Sequence, residues 1–503
     1  MFEGWLTAVV FLPLAGAVVI ALLVRGDTNV RVFAAAIALA EFVLSIVVFA
    51  RYDLAPGAGQ FQLVDKLENW IPVESFNVQY YLGIDGLSAP MVLLTGLLGM
   101  VAVYASWSIK HRVREYFVWL LALQTAVMGV FTALDFFLFW ELELVPMFFL
   151  ISIWGSGRKE YSAMKFLIFT FLGSAFMLVG ILTLFFSTGT FDMTQLPAEI
   201  EGGRLLLPAG LTFALLFVAF AVKLPVWPLH TWLPDAHTDA PTAASVMLAG
   251  VLLKMGAYGM LRVSVTMFPE VTRDIAWLLA GAGVVNILYG AAVVFRQTDL
   301  KRLIAFSSVS HMGFVLLGLS SVAGIDGRVS PVGLTGASLQ MFAHGAITGL
   351  LFLLVGYVYE KAHTRYMPDL GGLASRMPLL ATSLVVAGLA SLGLPSTAGF
   401  AAEIHVFLGA FPVWSWLTAV GAFGVVLTAG YILWMIQRIM FGARNQRFDD
   451  VSDATPLELV PVALMIIAIM VVGIYPAVIA DVFSSGVQPI VDSLESAATA
   501  ISR

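Results

Sequence analysis

Six ionisable residues fall inside long apolar stretches of this 503-residue chain: Glu141, Lys223, Lys254, His311, His344 and Glu403. The chain is 60% hydrophobic and 12% charged, against about 25% charged in an ordinary soluble protein, so these stretches read as membrane spans. An ionised group at the centre of a bilayer costs about 2.5–3.5 kcal/mol on insertion scales, so it faces a partner or a hydrated cavity and marks a route for protons or ions.

Lys254 follows PTAASVMLAGVLL, with thirteen uncharged residues before it and seven after it up to Arg262, too far from either surface to snorkel. Lys223 lies in FALLFVAFAVKLPVWP, where Pro225 and Pro228 remove backbone donors and break the helix just after the lysine. Transporters place coupling ions at such breaks, among freed carbonyls. Glu141, in DFFLFWELELVPMFF, needs a cation, and the two lysines are the available partners. Glu143, two residues on, is rotated by about 200° on a helix, so only one of the two carboxylates faces that partner. Glu141 is the choice, and Glu143 reads as a protonated or subunit-facing carboxyl. His311 in SSVSHMGFVLLG and His344 in LQMFAHGAITGLLF read either as neutral hydrogen-bonding residues or as proton carriers. An unperturbed imidazole pKa of about 6.5 suits the second role. Glu403 follows SLGLPSTAGFAA, a second Gly/Pro-interrupted stretch, with His405 close behind.

A buried Glu–Lys pair is a switch, because moving the carboxylate changes how firmly the lysine holds its proton. Drawing Glu141 away leaves Lys223 without a counter-charge and drives its proton on, to Lys254 or to water. Moving one charge against 100 mV takes about 2.3 kcal/mol, comparable to a change of under two pKa units at about 1.36 kcal/mol each. The magnitudes match proton pumping.

The elements that must position these residues are transmembrane helices. Apolar runs near the bilayer length of about 20 residues number fourteen: 4–24, 30–50, 86–107, 114–131, 133–153, 164–187, 209–227, 241–265, 274–295, 303–321, 333–359, 379–409, 414–440 and 457–480. The N-terminus carries Glu3 and no cation before its apolar run, so it reads as a retained span, not a cleaved signal. Loops after odd-numbered spans hold 17 Lys and Arg. The other side, with Arg51, Lys66, Arg204, Arg262, Arg273, Arg328 and Arg503, holds 7. By the positive-inside rule both termini lie outside the cytoplasm, and the two remaining cations are Lys223 and Lys254. Interruptions in the seventh and twelfth spans, five apart, are the trace of inverted repeats pairing spans 4–8 with 9–13. The division is 1–113 for an N-terminal three-helix segment, 114–265 and 266–440 for the two repeats, and 441–503 for a last helix and tail. Pro and Gly are also simply common in membrane helices.

Other chemistry is scarce. A net charge of −6, dispersed, gives no nucleic-acid surface, and the absence of cysteine excludes thiolate chemistry and cysteine-ligated iron–sulfur clusters in this chain. No dinucleotide fingerprint, phosphate loop or nucleophile elbow occurs. His230, Asp235, His237 and Asp239 in LHTWLPDAHTDAPTAAS superficially suggest a metal site. They fit better a short connection after the broken seventh helix, capping helix ends or offering a proton entrance.

That segment, continued as KLPVWPLHTWLPDAHTDAPTAASVMLAGVLLKMGAYGMLR, together with FFLFWELELVPMFFLISIWG, QTDLKRLIAFSSVSHMGFVLLG and LGIDGLSAP, closely resembles the proton-translocating antiporter-like M-type subunits of respiratory complex I, the NADH–quinone oxidoreductase. The resemblance covers the chain from about residue 80 to 440. It implies an all-α polytopic fold of fourteen helices with two inverted five-helix repeats, each forming half of a proton channel. It also places the family's proton-transfer residues on Glu141, Lys223, Lys254, His311, His344 and Glu403. Two departures are Glu143, where the family usually has an apolar residue, and PSTAGFAAEIH, which lacks the commoner N-x-F-x-G-E pattern. The L-like subunits continue into a long lateral helix, whereas this chain ends 23 residues after its last span; N-like subunits and the cation-antiporter D subunit are further relatives.

The resemblance implies a translocase subunit in the bacterial inner membrane with no cofactor of its own. NADH, FMN, iron–sulfur clusters and quinone would lie in other subunits, and the L-like and N-like subunits would be its neighbours. The alternative is a subunit of a multisubunit cation/proton antiporter. Sodium would call for more carboxylates and carbonyls near the midplane, whereas lysine and histidine dominate here and bind no cation while protonated.

Overall fold

Hydropathy dictates the architecture seen in the computed structural model, which describes residues 2–501 apart from 56, 72, 74–77, 139, 140 and 444. Arg444 and Arg503 of the loop-cation count lie outside the described residues. Among the described residues, ten helices are long and apolar enough to cross a bilayer, and Ala89–Ala105, Leu144–Trp154, Ala209–Lys223, Pro378–Ser391 and Ala398–Trp414 are shorter apolar helices. Each apolar stretch read from the sequence holds one of these helices, and 379–409 holds parts of two.

Helices Thr242–Val265, Leu300–Val322 and Pro331–Ala362 are buried along their whole apolar windows. They form the interior, surrounded by helices with one apolar face outward. Leu22, Ile168, Phe171 and Ile474 are exposed there, as a lipid-facing surface requires. Small residues bring the helix Ala276–Val294 close against the interior helix Leu300–Val322. A Cβ on Gly290 would lie 2.6 Å from the Ser310 nitrogen, and one on Gly313 would lie 2.6 Å from the Gly283 oxygen.

Local sequence sets the helix ends. Ser330 accepts from Gly333 N (3.3 Å) ahead of Pro331, and proline suits the first helical position because its missing N–H would be unpaired there anyway. Thr455 and Glu458 bond each other's backbone N–H in a capping box. The helix that begins at Ala209 stops at Lys223, and Pro225 follows two residues later with its ring nitrogen unable to donate. The second interruption spans 392–397, where Gly393 takes φ 77° beside Pro395.

Two elements depart from the sequence reading. Strands β1 (Gln62–Ile71) and β2 (Val78–Ile84) form an antiparallel hairpin pairing Asp65 with Leu82 and Leu67 with Tyr80. The Asp65 carboxylate accepts from the backbone N–H groups of Glu3 (2.8 Å), Gly4 (2.5 Å) and Thr7 (2.8 Å), tying down the N-terminus. The expected tail is the helix Ala477–Ile501. It buries Ile479, Phe483, Val487, Ile490 and Leu494 on one side, a helical stripe. It reaches Arg273, whose Nη1 donates to Leu494 O at 3.3 Å. The hairpin lies at the helix ends marked by Ala133 and Asp192, and this end is called the hairpin face below.

Candidate functional site

The first group of buried charges forms where the helix Ala209–Lys223 stops. Freed backbone groups are satisfied from two directions. Trp232 Nε1 donates to Val222 O at 3.0 Å. Asn286, on the helix Ala276–Val294, accepts from Trp227 N (2.8 Å) and donates to Pro225 O (3.2 Å) and Val309 O (3.4 Å). With the chain bend fixed, Lys223 projects into the interior with 9% of its surface exposed. Its Nζ lies 2.6 Å from Glu141 Oε1 and 2.6 Å from Glu143 Oε1.

Both carboxylates therefore hold the same lysine, which corrects the expectation that only one faces it. The rotation of about 100° per residue does not apply, because the helix begins at Leu144 and residues 141–143 form the turn before it. Glu141 takes a positive φ of 56°, folding the chain so that the two side chains converge. Glu143 is 1% exposed, so it is neither lipid-facing nor on the outside of the chain.

The second group contains Lys254, fully buried in a helix with π turns at 248–252 and 260–265. Such widened turns are frequent at functional sites because they displace a carbonyl from the regular ladder. Lys254 Nζ contacts the carbonyl of Ala249, five residues back, and lies 2.7 Å from His344 Nδ1. The His344 and His311 rings are 5.5 Å apart between centroids. His311 Nδ1 lies 3.7 Å from Glu403 Oε1, and its Nε2 lies 3.4 Å from Ser391 Oγ. A cavity of about 10 Å³ lined by Gln340, His344, Thr348, Ser391, His311 and Glu403 joins them, and about 10–15 Å³ admits one water molecule.

All six residues are thus buried or nearly so, but they divide differently from the sequence reading. Lys254 joins the histidines and Glu403 and is no partner of Glu141. Among the described residues no hydrogen bond or ion pair joins Lys223 to Lys254, and Leu248 and Leu252 wall the small space beside Lys223 and Glu143. His405 faces its own helix, with Nδ1 2.6 Å from Ala401 O.

The segment from His230 to Asp239 folds as the helix Trp232–Asp239 after the break. Its carboxylates neutralise cations: Asp235 meets Lys165 (2.7 Å) and Arg302 (3.1 Å), while Asp239 accepts from Ser162 Oγ (2.6 Å) and lies 3.9 Å from Arg365. No cluster of metal-ligating residues occurs among the described residues.

Several buried polar residues escaped the sequence reading. Arg262, assigned there to a loop, is 6% exposed within the helix Thr242–Val265 and pairs with Asp85 at 2.5 Å. Its position in the last turn of the run hid it, although IDGLSAP supplied the partner. Asn286 was visible as the one amide in AGAGVVNILYG. Glu41, fully buried in the span Asp27–Ala50, contacts Gln124.

Known proteins share both the sequence and the fold of this chain. Residues 132–428 match the family described as NADH:quinone oxidoreductase/Mrp antiporter, TM. The chain is 42% identical over 487 residues to NAD(P)H-quinone oxidoreductase chain 4 2 of Thermosynechococcus vestitus, covering 94% of this chain and 89% of the relative. It is 39% identical over 510 residues to NADH-quinone oxidoreductase subunit M of Rhodobacter capsulatus, covering 98% and 97%. A chain of respiratory complex I from Thermus thermophilus with bound NADH superposes with a TM-score of 0.84 at 28% identity, covering 97% of this chain and 98% of that one.

Proposed function

This chain belongs to the NADH:quinone oxidoreductase/Mrp antiporter family of membrane proteins, and from that membership we infer that it is the M-type membrane-arm subunit of a proton-pumping NADH–quinone oxidoreductase. Its task is to move protons, driven by quinone reduction in other subunits, which would carry NADH, FMN, the iron–sulfur clusters and the quinone. The observation that carries the reading is the division of buried charge into two groups, one lysine held by two carboxylates and one lysine opening a string of two histidines and a glutamate.

The first group is the switch. Glu141 and Glu143 together hold Lys223 charged, and withdrawing that negative charge sends its proton toward the second group. There Lys254 hands the proton to His344, His311 and Glu403 in turn, through neutral imidazoles that accept at one ring nitrogen and donate at the other. The same reading divides the chain into 1–113, two inverted units at 114–265 and 266–440, and 441–503, with Lys223 and Glu403 beside the breaks of the two units. It places the protein in a bacterial cell membrane with L-like and N-like antiporter subunits beside it and both termini outside the cytoplasm. A cation/proton antiporter would need a carboxylate cage for its cation, and here both glutamates of the first group are occupied by lysine.

The test is Lys223→Ala in the intact complex reconstituted in vesicles. Quinone reduction without the corresponding vesicle acidification supports the reading, and full proton transfer by the assembled variant overturns it.

A further inference from the structure

The geometry points to Arg262 as a fixed plug that seals the Lys223 site from the hairpin face and prevents pumped protons from leaking there. This rests on the reading of Lys223 as a proton carrier. A cavity of about 80 Å³ begins at Glu141 and Lys223 and ends at Tyr258, Arg262 and Asp135. That is room for two or three water molecules at about 30 Å³ each. Its far end abuts the hairpin, since Asp135 Oδ2 accepts from Gln79 N of β2 at 2.9 Å. Gly256 packs against Leu224, beside Lys223, and Arg262 lies six residues further along that helix, about 9 Å at 1.5 Å per residue. Water reaching Lys223 from the hairpin face would discharge the site without crossing to the second group.

The guanidinium is clamped where such a path would leave. Its Nη2 donates to Asp85 Oδ1 at 2.5 Å and its Nε to Tyr258 Oη at 3.2 Å. It also lies 5.3 Å from the ring centres of both Phe61 and Tyr258. Asp85 is itself immobilised, accepting from Leu87 N (3.0 Å) and Ser88 N (3.1 Å). Paired with Asp85, the guanidinium carries little net charge, but it offers only N–H donors and accepts no proton, so it interrupts any chain of hydrogen-bonded waters that would carry protons past it. Arginine suits the role because it does not release its proton in proteins, so it blocks where a lysine would relay.

The test uses the intact complex in vesicles, with an imposed pH gradient and no NADH. Arg262→Gln should collapse the gradient severalfold faster than the natural chain, Arg262→Lys should leak to an intermediate degree, and adding Lys223→Ala to either should restore the slow decay. Should Arg262→Gln fail to assemble, Arg262→Lys and Tyr258→Phe with Asp85→Asn carry the same comparison. An assembled Arg262 variant with the natural decay rate overturns the plug, as does a leak that persists without Lys223. Normal pumping by Lys223→Ala alone overturns the underlying reading instead.

Discussion

Lys223 Nζ is equidistant, at 2.6 Å, from Glu141 Oε1 and Glu143 Oε1. One ammonium therefore has two counter-ions in a region where each buried charge is expensive. Neutralising one glutamate leaves the lysine paired; neutralising both leaves it alone. The consequences for pumping and stability separate accordingly.

Glu141→Gln and Glu143→Gln should each retain part of the vesicle acidification per quinone reduced, and the double variant should lose nearly all of it. Stripping a buried charge of its partner costs about 3–5 kcal/mol, so the double variant should also unfold at a lower temperature than either single one. Equal pumping loss in the single and double variants would show that the two carboxylates do not share the lysine.

His344→Gln removes the acceptor 2.7 Å from Lys254. The side chain remains polar and similar in reach, so assembly should persist while the proton-to-electron ratio falls, since a general base speeds proton transfer by about 10²-fold or more. Measuring that ratio alongside quinone reduction checks it. Unchanged stoichiometry would exclude His344 from the string.

Asn286→Leu should destabilise the chain without removing any ionisable group. It strips partners from Trp227 N and Pro225 O, at about 1–3 kcal/mol for each buried group left unsatisfied. Thermal denaturation of the purified complex reads the loss, and a midpoint equal to that of the natural chain would mean that the bend holds itself.

Gly290→Val drives a branched side chain into the backbone of Ser310, 2.6 Å from where a Cβ would begin. Overpacking of this kind costs about 1–3 kcal/mol, and more where backbone must move. The amount of assembled complex on native gels should fall, and Gly281→Val, which meets nothing within 4 Å, should be tolerated.

The helix interruptions were legible because proline and glycine act on their immediate neighbours: the break after Lys223 and the one ahead of Glu403 fall beside Pro225 and Pro395. The buried charges were legible because little else in those runs is polar. Glu143 was misplaced because a helical rotation was applied to residues that lie in a turn. The hairpin was missed because β1 mixes Asp65, Lys66 and Glu68 with its apolar residues and so leaves no apolar run of bilayer length. The last helix was missed for a different reason, since Asp481, Asp492 and Glu495 interrupt its hydropathy while leaving its apolar stripe intact. Arg262 reads as a loop cation until the fold brings Asp85 to it.

Asn286 belongs to the C-terminal half of the chain, yet two of its three hydrogen-bonded partners are Pro225 and Trp227, in the N-terminal half. A roll or slide of the Ala276–Val294 helix breaks those two hydrogen bonds unless the bend next to Lys223 follows it. That amide ties the two halves together at the place where the helix bearing Lys223 ends.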